Sequence, residues 1–138
     1  MTCEVRADVA GAPAPRRVRR LIQRFSRAAR APGGEVSILF CGDRRMRSLN
    51  RAYRGLDRST DVLAFPAEAP GILGDIVVSV PYAARQAARL GEAVVHELDR
   101  LLLHGLLHLL GYDHETDRGE MDALEARLRR RFGVGERT

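Results

Sequence analysis

Leu101-Leu-Leu-His104-Gly-Leu-Leu-His108-Leu-Leu-Gly111-Tyr-Asp-His114 is the stretch on which the fold turns. Leucine fills nearly every position before Gly111, which predicts a helix embedded in the core, and the embedding makes its histidines expensive unless they are satisfied. His104 and His108 are four residues apart. On a helix they stand one above the other, with about 6 Å between Cβ atoms. Gly111 then ends the helix, because glycine alone adopts the left-handed turn without cost, and the returning chain brings His114 toward the same point. Three imidazoles converging in this way predict one tetrahedral metal, with His104, His108 and His114 as ligands. The fourth position stays open to water, as in catalytic zinc sites, whereas structural zinc normally takes four protein ligands. The remaining histidine, His96, lies about 80° around the helix from His104 and is read as a partly exposed neighbour.

The ligand spacing HxxxHxxGxxH also occurs in metzincin proteases, where a glutamate after the first histidine is the general base. Here that residue is Gly105, so peptidase chemistry lacks its proton acceptor. A glycine inside a helix is locally unfavourable, and the expectation is that it permits close packing of another backbone or of a substrate.

A second segment carries a further signal: Leu49-Asn-Arg-Ala-Tyr53-Arg54-Gly-Leu-Asp-Arg58-Ser-Thr-Asp61-Val-Leu-Ala64-Phe-Pro66, followed by Gly74-Asp75-Ile76. With the run HGLLHLLGYDHE from His104, these stretches resemble the YbeY family of bacterial endoribonucleases, the rRNA maturation factors, in its elements LNxxYRGxDxxTDVLSFP and GDI. The matches occur in the family's order and cover about half of the chain. Ala64 stands where the family usually has serine, so that hydroxyl is missing here.

Along the chain, Cys3 to Val9 alternates like an edge strand, and Pro15 to Ala31 has helical spacing through Val18, Leu21, Ile22, Phe25 and Ala29. Glu35 to Phe40 reads as a strand. Asp43 is a suitable cap for a helix carrying Met46, Leu49 and Tyr53. Val62 to Phe65 and Ile76 to Val80 read as strands separated by a loop over Ala67 to Gly74. Pro81 opens a helix to Leu90, Glu92 to Leu110 forms the long apolar helix, and Asp117 to Phe132 a last amphipathic one. The order β, α, β, α, β, β, α, α, α predicts one α+β domain over residues 1–138, a small mixed sheet covered by helices, with the metal site on the long helix of the C-terminal half.

The chain has 138 residues, enough for one core. Its longest apolar run is too short to span a membrane, and the N-terminus lacks a hydrophobic signal segment, so a cytoplasmic location is the expectation. Cys3 and Cys41 lack metal-site spacing and are read as free thiols. All 23 basic residues are arginine, against 18 acidic ones, for a net charge of +5. Arginine's planar fork suits phosphate, so RNA is a plausible partner, although many of these side chains are expected simply to be solvated. Arg16, Arg17, Arg19, Arg20, Arg24, Arg27 and Arg30 line the first helix. Arg44, Arg45, Arg47, Arg51 and Arg58 lead toward the presumed site, and this second cluster is the one preferred for RNA contact.

The chemistry follows from the site and the resemblance. Zinc held by three neutral histidines lowers the pKa of bound water toward 7 and polarises a phosphoryl oxygen. Charge developing on phosphorus needs a cation, for which the matching position of the family supplies Arg54; the competing reading is an arginine bonded to a carbonyl or carboxylate at its helix end. Asp61 and Asp75 are the carboxylates placed by motif to act as bases or orient ligands, with loop capping as the alternative for each. Asp113 and Glu115 flank His114, and one of them is expected to take a histidine N–H, unless both are surface residues. The resemblance implies a zinc-dependent, single-strand-specific endoribonuclease acting in rRNA processing, notably at the 3′ end of 16S rRNA, and in ribosome quality control, with the small ribosomal subunit and its assembly proteins as partners. A different class of reading is a non-catalytic ribosome-assembly or RNA-binding factor whose metal holds the fold together.

Overall fold

The computed structural model of the chain describes residues 1–113 and 115–134. Nine elements follow the predicted order: β1 (Thr2–Ala7), α1 (Pro15–Ala28), β2 (Glu35–Cys41), α2 (Asp43–Arg54), β3 (Val62–Pro66), β4 (Ile72–Ser79), α3 (Val80–Leu90), α4 (Val94–Leu109) and α5 (Glu120–Phe132). They form a single α+β domain. The sheet runs β1-β2-β4-β3, with β1, β2 and β4 parallel and β3 antiparallel to β4.

Alternation along each strand sorts side chains between the two faces. Val36, Ile38 and Phe40 of β2 and Ile76 and Val78 of β4 enter the main core, where they meet Val18, Ile22 and Phe25 of α1 and the leucines of α4. Each fully buried side chain of this size contributes on the order of 1.5–3 kcal/mol, so α4 is the chief apolar contributor. The other face carries Leu63, Val77 and Cys41, covered by Met46 of α2. One face of the sheet is thus deeply buried and the other only partly roofed. Among the described residues no helix is long and apolar enough to cross a membrane.

Local departures from the expectations have local causes. The first helix stops at Ala28 rather than Ala31, because Arg30 takes a left-handed conformation (φ 55°) and the Ala31 N–H turns back to the Ser26 carbonyl at 2.9 Å. β4 starts at Ile72, inside the predicted loop. Gly74 permits this: at φ 141° it lies against the Phe65 carbonyl, which a Cβ would approach to 2.1 Å. Asp43 is not the cap of α2 but its first residue, after Gly42. Its carboxylate instead accepts from Ser59, Ser79 and Arg85. Cys3 and Cys41 are free thiols, as expected.

Candidate active site

Along α4, Arg100, His104 and His108 are half-buried while nearly every residue between them is buried. Spacing of four puts the three on one stripe, and His104 and His108, with Gly105, line a cleft. The imidazoles of His104 and His108 lie 4.9 Å apart between centroids, nearly perpendicular at 73°. Behind them the helix ends in a two-bond glycine motif: Tyr112 N–H donates to the Leu107 carbonyl at 3.1 Å and Gly111 N–H to His108 at 3.0 Å, with Gly111 at φ 98°. The turn expected at Gly111 is therefore present. The third predicted ligand, His114, lies outside the described residues.

His104 is oriented from a distant element. Its Nδ1 lies 2.9 Å from Glu125 Oε1, on α5. A histidine whose one nitrogen donates to a carboxylate is held with the other nitrogen, Nε2, as its ligating atom, the usual arrangement around protein-bound zinc. Burial pushes the Glu125 carboxyl up, but the bond and charge of His104, with Arg100 and Arg129 nearby, outweigh it and hold the group below its ordinary value. Glu125, rather than Asp113 or Glu115, is the carboxylate beside His104. Asp113 Oδ1 accepts the Glu115 backbone N–H at 3.0 Å, and both residues line the mouth of the cleft.

The cleft has a volume of about 510 Å³. Its opposite wall is β3 and the end of α2. Arg54 lines it from the last turn of α2 and, among the described residues, makes no hydrogen bond or ion pair. Asp61 lines the cleft too, with both oxygens engaged: Oδ1 accepts from Val62 N–H at 2.7 Å and Oδ2 from Gln86 at 3.2 Å, while Arg100 lies 4.0 Å away. Arg100 also binds Glu97, a carboxylate with no exposed surface whose Oε2 has no partner among the described residues. One guanidinium thus braces the buried acid and the cleft aspartate together. Ala64, the departure from the serine of the family pattern, leaves that part of the wall without a hydroxyl.

Asp75 is elsewhere. Its neighbour Ile76 points into the core against α4, so period-two alternation sends Asp75 to the opposite face, where it lines a separate groove of about 520 Å³ with Glu4, Arg6 and Arg45. A shared catalytic role for Asp61 and Asp75 does not fit this separation. Tyr53 and Phe65, rings 4.9 Å apart, border both grooves and form the ridge between them. Tyr53 is 68% exposed. Gly105 lines the cleft and also allows close packing from another element: a Cβ there would meet Ile76 Cγ2 at 2.8 Å, so the glycine lets β4 seat against α4.

The arginines proposed for RNA contact divide. Arg47 makes a two-bond pair with Asp57 at 2.9 and 3.1 Å, and Arg45 pairs with Asp8 at 3.4 Å. Arg44, Arg51 and Arg58 are exposed, and none of the five lines the histidine cleft.

Two imidazoles on one stripe, one already braced by a carboxylate, are a donor set that fits zinc. Among the described residues they belong to no group of three metal-ligating side chains. Glu125, Arg100 and Tyr53 are the site residues that sequence reasoning missed. Arg100 was legible as the position four before His104; Glu125 depends on how α5 docks.

Comparison with known proteins gives a consistent result. The family model described as Endoribonuclease YbeY matches residues 7–133. The chain is similar to a protein of that name from an Anaeromyxobacter species, 50% identical over 130 residues, covering 90% of this chain and 68% of the relative. A second such protein, from Solibacter usitatus, is 46% identical over 125 residues, covering 88% and 84% of the two chains. In architecture the chain is similar to a Thermotoga maritima protein solved in solution, with a TM-score of 0.70 over 95% of this chain and 89% of that one, at 24% identity.

Proposed function

The chain belongs to the Endoribonuclease YbeY family, and from that premise we infer that it is an RNA-cleaving hydrolase acting in rRNA processing, with the histidine cleft as its active centre. The observation that carries the reading is the juxtaposition of the His104–His108 pair, braced by Glu125, with Arg54 across one cleft. His104, His108 and His114 would hold Zn²⁺, which when bound supplies an activated water and a Lewis acid for the phosphoryl oxygen. Every other contribution belongs to the protein. Glu125 keeps the His104 ring turned to the metal. Arg54 places a fixed positive charge where negative charge grows on the phosphorus oxygens during cleavage. Arg100 and Gln86 hold Asp61 at the cleft wall, as an acceptor toward the substrate's ribose or water. The exposed face of Tyr53 offers a surface on which an unpaired base can stack, which suits single-stranded RNA. The substrate proposed is the precursor of the 16S rRNA 3′ end, met on the small ribosomal subunit with its assembly proteins in the cytoplasm.

The test is cleavage of a single-stranded RNA carrying that precursor sequence, with metal content measured on the same samples. Arg54→Ala is expected to keep its metal and lose about 10²–10³-fold in kcat, the usual effect of removing one charge-stabilising donor. His114→Ala is expected to lose both metal and cutting while remaining folded. Unchanged cutting by the His114 variant would remove the activity from this cleft and favour the assembly-factor reading.

A further inference from the structure

A second groove, of about 860 Å³, lies between α1 and α5. Arg24, Arg27 and Arg30 enter it from the first helix and its end, Arg127 and Arg131 from the last. Among the described residues no carboxylate lines it and none of the five arginines has an acidic partner. Elsewhere Arg6, Arg17, Arg45, Arg47, Arg85 and Arg100 are each matched to an acid.

The groove is also built. Arg24 and Arg131 lie over the Phe132 ring at 5.7 and 5.4 Å, which holds two guanidiniums in place, and Phe132 in turn packs edge-on against Phe25. Arg30 occupies the left-handed position that stops α1, a place glycine normally takes. Five like charges in one concavity repel one another in the free protein, and a polyanion relieves that repulsion while releasing its own counterions. The groove adjoins the histidine cleft: Tyr112 lines the one and its neighbour Asp113 the other.

We propose that the α1–α5 groove binds the phosphodiester backbone of the same single RNA strand whose scissile bond lies in the histidine cleft. This rests on the endoribonuclease reading and deepens it, making the substrate a strand long enough to reach over Tyr112 and Asp113. It also moves the main RNA contact from the arginines before β3 to those of the first and last helices.

The experiment uses the full chain with Arg27→Gln, Arg30→Gln and Arg127→Gln combined, all exposed and none stacked on Phe132. Binding of a long, uncleavable 2′-deoxy single strand is followed by fluorescence anisotropy against salt, and turnover is measured on a tetranucleotide too short to leave the cleft. The variant is expected to keep its circular dichroism and its tetranucleotide turnover. Its affinity for the long strand should fall at least tenfold at low salt, and the slope of log K against log salt should shrink by about 2, since each single-strand phosphate contact contributes roughly 0.7. An unchanged affinity and slope would overturn the proposal. So would an equal loss on the tetranucleotide, which would tie these arginines to the cleft itself. Loss of binding to an acidic polypeptide such as polyglutamate, with RNA affinity intact, would overturn it in favour of a protein partner. If wild type cuts no RNA yet the slope still shrinks, the endoribonuclease reading fails and the groove stands as an RNA surface.

Discussion

Glu125 illustrates how one carboxylate can govern a site it does not enter. Its bond to His104 Nδ1 leaves Nε2 as the ring nitrogen available to a metal. Glu125→Gln keeps the shape and removes the charge. The variant is expected to bind zinc about 10–100-fold more weakly, read by competition with a chelator, with far-ultraviolet circular dichroism unchanged. Equal affinity in the two proteins would show that the contact is packing alone. The histidines were legible in the sequence because four-residue spacing is a local property of a helix. Glu125 was not, because 21 residues and a helix-to-helix docking separate it from its partner. Gly105 shows a related limit. Its presence pointed to close approach, but the approaching group, Ile76, comes from another element and could not be named.

Asp43 acts at the level of elements. It stands at the start of α2 and accepts two hydrogen bonds from Arg85 of α3, at 2.7 and 3.0 Å, besides those from Ser59 and Ser79. The Arg85 bonds are the main reason that its carboxyl falls to about 2, against the opposing effect of burial. A carboxyl depressed in the folded state stabilises above its unfolded value, near 4, and that contribution disappears as pH falls from about 4 to about 2. The side chain is 36% exposed, so solvent screening limits the contribution to about 1 kcal/mol. Acid unfolding followed by circular dichroism should therefore show an added loss of stability in that window, and Arg85→Ala should reduce the added loss, leaving the part due to Ser59 and Ser79. A variant with the same acid profile as wild type would assign the transition to other carboxylates. Element order was legible throughout, since periodicity separates strand from helix. Ends were less so: Arg30 stopped α1 early, and Gly74 let β4 begin within the expected loop, both through backbone conformations that composition does not reveal.

Across the whole molecule, the parallel pairing of β1, β2 and β4 joins strands distant in sequence. Which strand lies at the centre depends on those connections and was not legible, and the placement of Asp75 away from the cleft follows from the same arrangement. β2 and β4 are central, flanked on both sides, with α4 packed on β4, whereas β1 is an edge. Native-state hydrogen exchange should find the amides of β2 and β4 opening only with global unfolding and those of β1 exchanging through smaller openings. Equal protection in all three strands would mean that the sheet opens as one unit. The brace between α4 and α5 has a consequence for how the molecule is made. Synthesis adds roughly 5–20 residues per second from the N-terminus, so the sheet, Arg54 and the histidine stripe of α4 emerge before the carboxylate that orients His104. A growing chain therefore carries the His104–His108 stripe before Glu125 exists to hold it, and the proposed active centre is complete only when α5 docks.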